Sequence, residues 1–330
     1  MRRIQIEVDK AATNGRVIRL HVASCQGFGQ PHDLRLEYFD DSGMQMFPWP
    51  MRVIDSQVHI WGANTPERPW PARAHAQRAI PLGAAELLRD MDTAGVDAAI
   101  IVPPSWEGDR NDLAIAAARA HPDRFAIMGR FDPDAPGARE SLPGWKEQSG
   151  MLGLRFSFHT PVLRQPFLEG RFDWVWEPAE RLGLPVMVLV HHAWMDRIHA
   201  IAQRHPGLKL VIDHLGLING EKDEEAFRDL DNLLLLAKRP NVAVKSSALP
   251  CYTNDTYPYM RLHPWLRRVY DAFGPRRMFW GTDISRSPCS YRRNITMFTE
   301  EIAWLTADDK EWIMGRGLCE WLDWKTEERK

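Results

Sequence analysis

Four segments of the chain repeat one pattern, in which a proline is followed by a short apolar run that ends on a polar residue. They run from Pro122 to Arg130, Pro206 to His214, Pro240 to Ser247 and Pro275 to Asp283. Proline has no N–H and closes a helix, and the large or β-branched residues after it start a buried strand. Each segment is therefore the helix-to-strand junction of a parallel sheet.

Units of this kind predict strands near 53–59, 97–102, 125–130, 151–156, 185–191, 208–214, 241–246 and 277–282. Helical patterns lie between them, such as Ala84 to Ala94, with Leu87, Leu88 and Met91 on one face, and Glu224 to Ala237. Eight β-then-α units match the usual size of a closed (β/α)8 TIM barrel, which is the expected fold for residues 51–330. No G-x-G-x-x-G follows the first strand, which removes a dinucleotide-binding sheet. Residues 1–50 differ. Ile4 to Val8, Val17 to Val22 and Leu34 to Tyr38 alternate with period two, so this short N-terminal extension is either a three-stranded appendage or a poorly ordered segment.

With 44% hydrophobic and 26% charged residues the chain can bury a large core, and a net charge of −2 gives no basic field for nucleic acid. No apolar stretch approaches the ~20 residues of a membrane span. Met1 to Lys10 lacks the apolar core of a secretion signal, so the expected location is the cytoplasm. Cys25, Cys251, Cys289 and Cys319 form no C-x-x-C pair and read as reduced thiols. A small molecule is the expected partner, and a homo-oligomer is left open.

In a parallel barrel the residues leaving the C-terminal ends of the strands face the mouth, where such enzymes place their sites. Those residues are Asp55, Gln57 and His59, then Arg130, Arg155, His191 and His192, His214, Lys245 and Asp283. Arg130, His214 and Asp283 each sit eight residues after their junction proline, at similar depth on one rim. One histidine at a strand end is usually structural. Several of them with a carboxylate supply neutral imidazoles and an anionic oxygen, which is what zinc and an activated water need. Arg130, Arg155 and Arg286 favour an anionic substrate through forked hydrogen bonds, and His159, Lys245 and Trp70 are further substrate-binding candidates.

Ile54-Asp-Ser-Gln-Val-His-Ile-Trp61, Val190-His-His192, Val211-Ile-Asp-His-Leu-Gly216 and Trp280-Gly-Thr-Asp283 follow one another on four separate strands. On these residues the chain resembles the amidohydrolase-related family over roughly 52–322. Its branch includes sugar-lactone and pyrone dicarboxylate lactonases and some aromatic-acid decarboxylases. The resemblance implies a site of His59, His191 or His192, His214 and Asp283, with Asp283 activating water and these residues as the metal ligands. The family's first strand usually carries His-x-His, and here Gln57 replaces the first histidine. A glutamine amide is a weak ligand, which argues against a binuclear centre and leaves one divalent metal, zinc foremost, or none. The expected reaction is hydrolysis of a lactone or related carboxylic ester of an anionic small molecule, with Asp283, His59 and His214 catalytic. The alternatives are metal-dependent, non-oxidative decarboxylation of an aromatic or muconate-type acid, and a barrel that only binds its ligand.

Overall fold

A computed structural model describes residues 51–72 and 74–325, together with four short strands that precede them. The chain divides into two compact units, 1–51 and 52–330. In the first, Ile4–Ile6, Val17–Val22, Leu36–Phe39 and Gln45–Met46 pair antiparallel in chain order. The fourth strand was not expected, because two residues are too few to show a period of two.

The second unit is the barrel. Its eight strands are β1 (Ile54–Val58), β2 (Ala98–Ile101), β3 (Phe125–Arg130) and β4 (Met151–Ser157), then β5 (Val186–Leu189), β6 (Leu210–Ile212), β7 (Val242–Ser247) and β8 (Met278–Gly281). All eight predicted strands are present, each paired parallel with its neighbour in sequence order. Ends meet where β8 approaches β1. The Asp283 N–H donates to the Gln57 carbonyl at 2.8 Å, and the Thr282 N–H donates to Asp55 Oδ1 at 2.9 Å. A Cβ on Gly281 would stand 2.4 Å from Ser56 Oγ, so the absence of a side chain there lets the two strands close.

Successive strand residues alternate between faces, which stacks the barrel interior in layers. Met128, Met187, Val211, Ala243 and Phe279 share one buried apolar cluster, packed against Leu318, Leu322 and Trp324. Two residues further along their strands, Met128 gives way to Arg130, Val211 to Asp213 and Ala243 to Lys245. A charged layer therefore lies above an apolar floor and faces the mouth.

Helix α1 (Ala84–Ala94) lies where its periodicity predicts, buries Leu87, Met91 and Ala94, and stops at Gly95, whose φ of 82° is left-handed. The stretch expected as one helix from Glu224 is instead broken into Asp223–Phe227 and Leu230–Leu234, because Asp229 departs from helical geometry with ψ of 21°. No helix among the described residues is long and apolar enough to cross a membrane.

Candidate active site

Asp283 follows β8 and His214 follows β6, and both have left-handed backbones, with φ of 49° and 52°. Such a conformation costs a non-glycine residue about 1–3 kcal/mol and persists where surrounding structure enforces it, commonly at functional sites. Here it turns both side chains inward over the charged layer.

The Asp283 carboxylate is the hub. His59 Nε2 lies 3.3 Å from its Oδ1 and His214 Nε2 lies 3.7 Å from its Oδ2. Arg286 Nε donates to Oδ2 at 2.5 Å, while its other nitrogens donate to Asn219 Oδ1 and the Tyr252 hydroxyl, both at 3.0 Å. Gln77 Nε2 donates to both carboxylate oxygens, at 3.3 and 3.4 Å, and the Ser285 hydroxyl donates to Gln77 Oε1. Burial alone would raise the carboxyl's pKa, but the Arg286 guanidinium holds it well below the usual carboxylate range.

Burial keeps the imidazoles neutral. It lowers His59, and pushes His214 and His159 down to about 3, with Arg286 and Arg155 respectively adding to the effect. His59 Nδ1 donates to the Val102 carbonyl at 2.5 Å, and His214 Nδ1 meets Ser247 Oγ at 2.8 Å, which fixes both rings.

A cavity of about 280 Å³ opens over Asp283 and is walled by His59, Arg155, His159, His191, His214 and Arg286, among others. His191 is thus the fifth-strand histidine that reaches the site, stacked on Trp194 at 5.3 Å. His192 turns away, its Nε2 donating to the Leu215 carbonyl at 2.7 Å.

Residues 54–316 match the family model described as Amidohydrolase. The chain belongs to the amidohydrolase family. It is an enzyme of that superfamily, with lactonase-like relatives. The L-fucono-1,5-lactonase of Burkholderia ambifaria is 25% identical over 243 residues, covering 70% of this chain and 79% of that one. A zinc-bound amidohydrolase from Burkholderia multivorans superposes with a TM-score of 0.69 at 22% identity, over 82% of this chain and 99% of its own. A probable 2-pyrone-4,6-dicarboxylic acid hydrolase from Acinetobacter baumannii, with citric acid bound, gives a TM-score of 0.65 at 17% identity, over 83% and 100% of the two chains.

Several residues expected at the mouth of this amidohydrolase stand elsewhere. Lys245 is fully buried beneath the cavity, 2.9 Å from Asp213 Oδ1, and donates to Gln57 Oε1 at 2.8 Å. Arg155 Nε shares that carboxylate at 3.2 Å, and together the two cations hold Asp213 at about 2 against the upward push of burial. Arg130 is taken up by Asp109, at 2.9 Å, and does not line the cavity. Trp70 is also absent from the wall, its backbone held on Asn64, and Trp106 lines the cavity in its place.

The residues proposed to bind metal do not fit one as they stand. Lysine only donates, so its bond to Gln57 Oε1 fixes the amide with its NH2 towards His59 Nε2, at 3.4 Å. Gln57 thus presents a donor where a ligand would need a lone pair. The Arg286 cation already covers Asp283 Oδ2, and no group of three or more His, Cys, Asp or Glu among the described residues is arranged to hold a metal ion.

Gln77, Ser285, Asn219 and Tyr252 were not foreseen. All belong to loops or strand-following turns, and no motif marked them. The one signal was the closeness in sequence of Ser285 and Tyr252 to the ends of β8 and β7.

Proposed function

We propose that this amidohydrolase opens a lactone, with Asp283 as the base that activates water. The observation that carries this reading is a buried carboxylate, ion-paired to Arg286 and faced by two imidazoles, at the floor of the cavity. Asp283 accepts a proton from water as the water oxygen bonds to the carbonyl carbon. The ring C–O bond then breaks, and the same proton passes to the departing alkoxide, leaving a hydroxy acid. Arg286 favours the charged form of Asp283, which eases that return of the proton. Arg155, on the cavity wall, supplies positive charge for the developing oxyanion. His59, whose proton sits on Nδ1, keeps a lone pair on Nε2 beside Oδ1 that can accept a hydrogen bond from the attacking water.

Arg130 pairs with Asp109 and Arg286 with Asp283, while Arg155 and Lys245 share Asp213, which leaves one net positive charge beside the cavity. This pairing narrows the anionic substrate read from the sequence. The uncharged polar wall of Ser105, Asn219, Tyr252, His159 and His191 suits the hydroxyl groups of a sugar-type lactone that bears at most one carboxylate. The names of the 25% identical relatives point the same way.

The test is proton release from a six-membered sugar lactone, an unsubstituted δ-lactone and a dicarboxylated pyrone. The sugar lactone is expected to give the highest kcat/KM. Carbon dioxide released from an aromatic acid, with no lactone opened, would contradict the reading and favour decarboxylation.

A further inference from the structure

The loop from β1 to α1 is held in two different ways. Its first half is clamped, since Arg68 donates to Glu107 at 2.5 Å and to Asp112 at 2.7 Å, and the Trp61 N–H closes the loop's base on the Leu82 carbonyl at 3.0 Å. Its second half is tied by the side chain of Arg78, which donates to Glu86 at 3.0 Å and lies 5.7 Å over the Trp61 ring. From 75 to 81 the described residues make no backbone hydrogen bond to another backbone group, and Ile80 is 73% exposed.

One side chain carries that half into the site. Gln77 donates through Nε2 to both oxygens of Asp283, and its Oε1 accepts from Ser285, two residues further along. The amide is clamped at both ends. The carboxylate only accepts, so it fixes which end is NH2 and leaves Oε1 to Ser285, and the forked donor fixes the plane of the carboxylate, which Arg286 alone, gripping one oxygen, would leave free to turn.

We propose that Gln77 is a positioning residue for lactone opening, acting through Asp283 and oriented by Ser285. This rests on the lactonase reading above. Arg286 keeps Asp283 charged, while Gln77 aims it, so that a lone pair of Oδ1 meets the attacking water. The same contact ties the 74–82 segment to the base that it aligns.

Three variants test it: Gln77→Ala, Ser285→Ala and the double variant, assayed on the best lactone of the panel. Losing the clamp is expected to lower kcat about tenfold in Gln77→Ala with KM changed less than about threefold, since misaligning a reacting group slows the step itself. Ser285→Ala is expected to show part of that loss, and the double variant no more than Gln77→Ala, as two members of one chain of contacts are not additive. A role limited to pinning the loop would raise KM or lower the melting temperature and leave kcat alone. Unchanged kcat in Gln77→Ala, or additive losses in the double variant, would overturn the proposal while wild-type turnover kept the lactonase reading intact. Should Gln77→Ala not fold, an unchanged kcat in Ser285→Ala would do the same. A wild type that opened no lactone would overturn both.

Discussion

Arg286 and Asp283 form an ion pair across three residues of a single loop, Nε to Oδ2 at 2.5 Å, with both side chains largely enclosed. A base that sits beside its own permanent cation stays deprotonated far into acid. Replacing Arg286 by Met removes that cation and raises the Asp283 pKa, so an acid limb should move up by at least ~1 pH unit in the kcat/KM profile, with activity lost as pH falls. A superimposable profile would show that Arg286 does not tune this carboxylate.

Lys245 and Arg155 share Asp213 beneath the cavity, with both Lys245 and Asp213 fully buried. Lys245→Met leaves the Arg155–Asp213 pair balanced but takes the donor from Asp213 Oδ1 and from Gln57 Oε1, and a buried acceptor left unpaired costs about 1–3 kcal/mol. Urea denaturation should register that loss. A shift below ~1 kcal/mol would mean that Arg155 alone satisfies Asp213.

Stability should fall as pH drops from about 6 to about 4. His159 and His214, held down at about 3, take protons in the unfolded chain, where the value is 6.5, and refuse them when folded. Asp55 acts in the opposite sense. Pushed up to about 6 by burial, it accepts a proton in the folded state before the unfolded one and gains stability as pH falls. Two protons against one leave a slope of at least about 1.4 kcal/mol per pH unit over that window. His159→Gln should flatten it by one proton, and a wild-type curve that is already flat would contradict these assignments.

The barrel and the rim residues His59, His214 and Asp283 were legible because both follow from period and position: a proline, an apolar run, and the residue that leaves it. Partners were not legible. Arg130 and Lys245 read as substrate contacts because a strand sequence does not reveal that Asp109 and Asp213 stand beside them. The choice between His191 and His192 turned on one loop carbonyl, that of Leu215, and Gln77 on the path of a loop that carries no periodicity. Residues chosen by strand geometry were visible, and residues chosen by loop geometry were not.

Asp283→Asn is the direct test of water activation, because it preserves shape and most hydrogen bonding and removes the base. Measured on the best sugar lactone, with unchanged folding checked by circular dichroism, kcat should fall about a thousandfold, within the range that general-base catalysis supplies. A variant that opens the lactone at the wild-type rate would show that Asp283 is not the base and that the reaction has been placed on the wrong group.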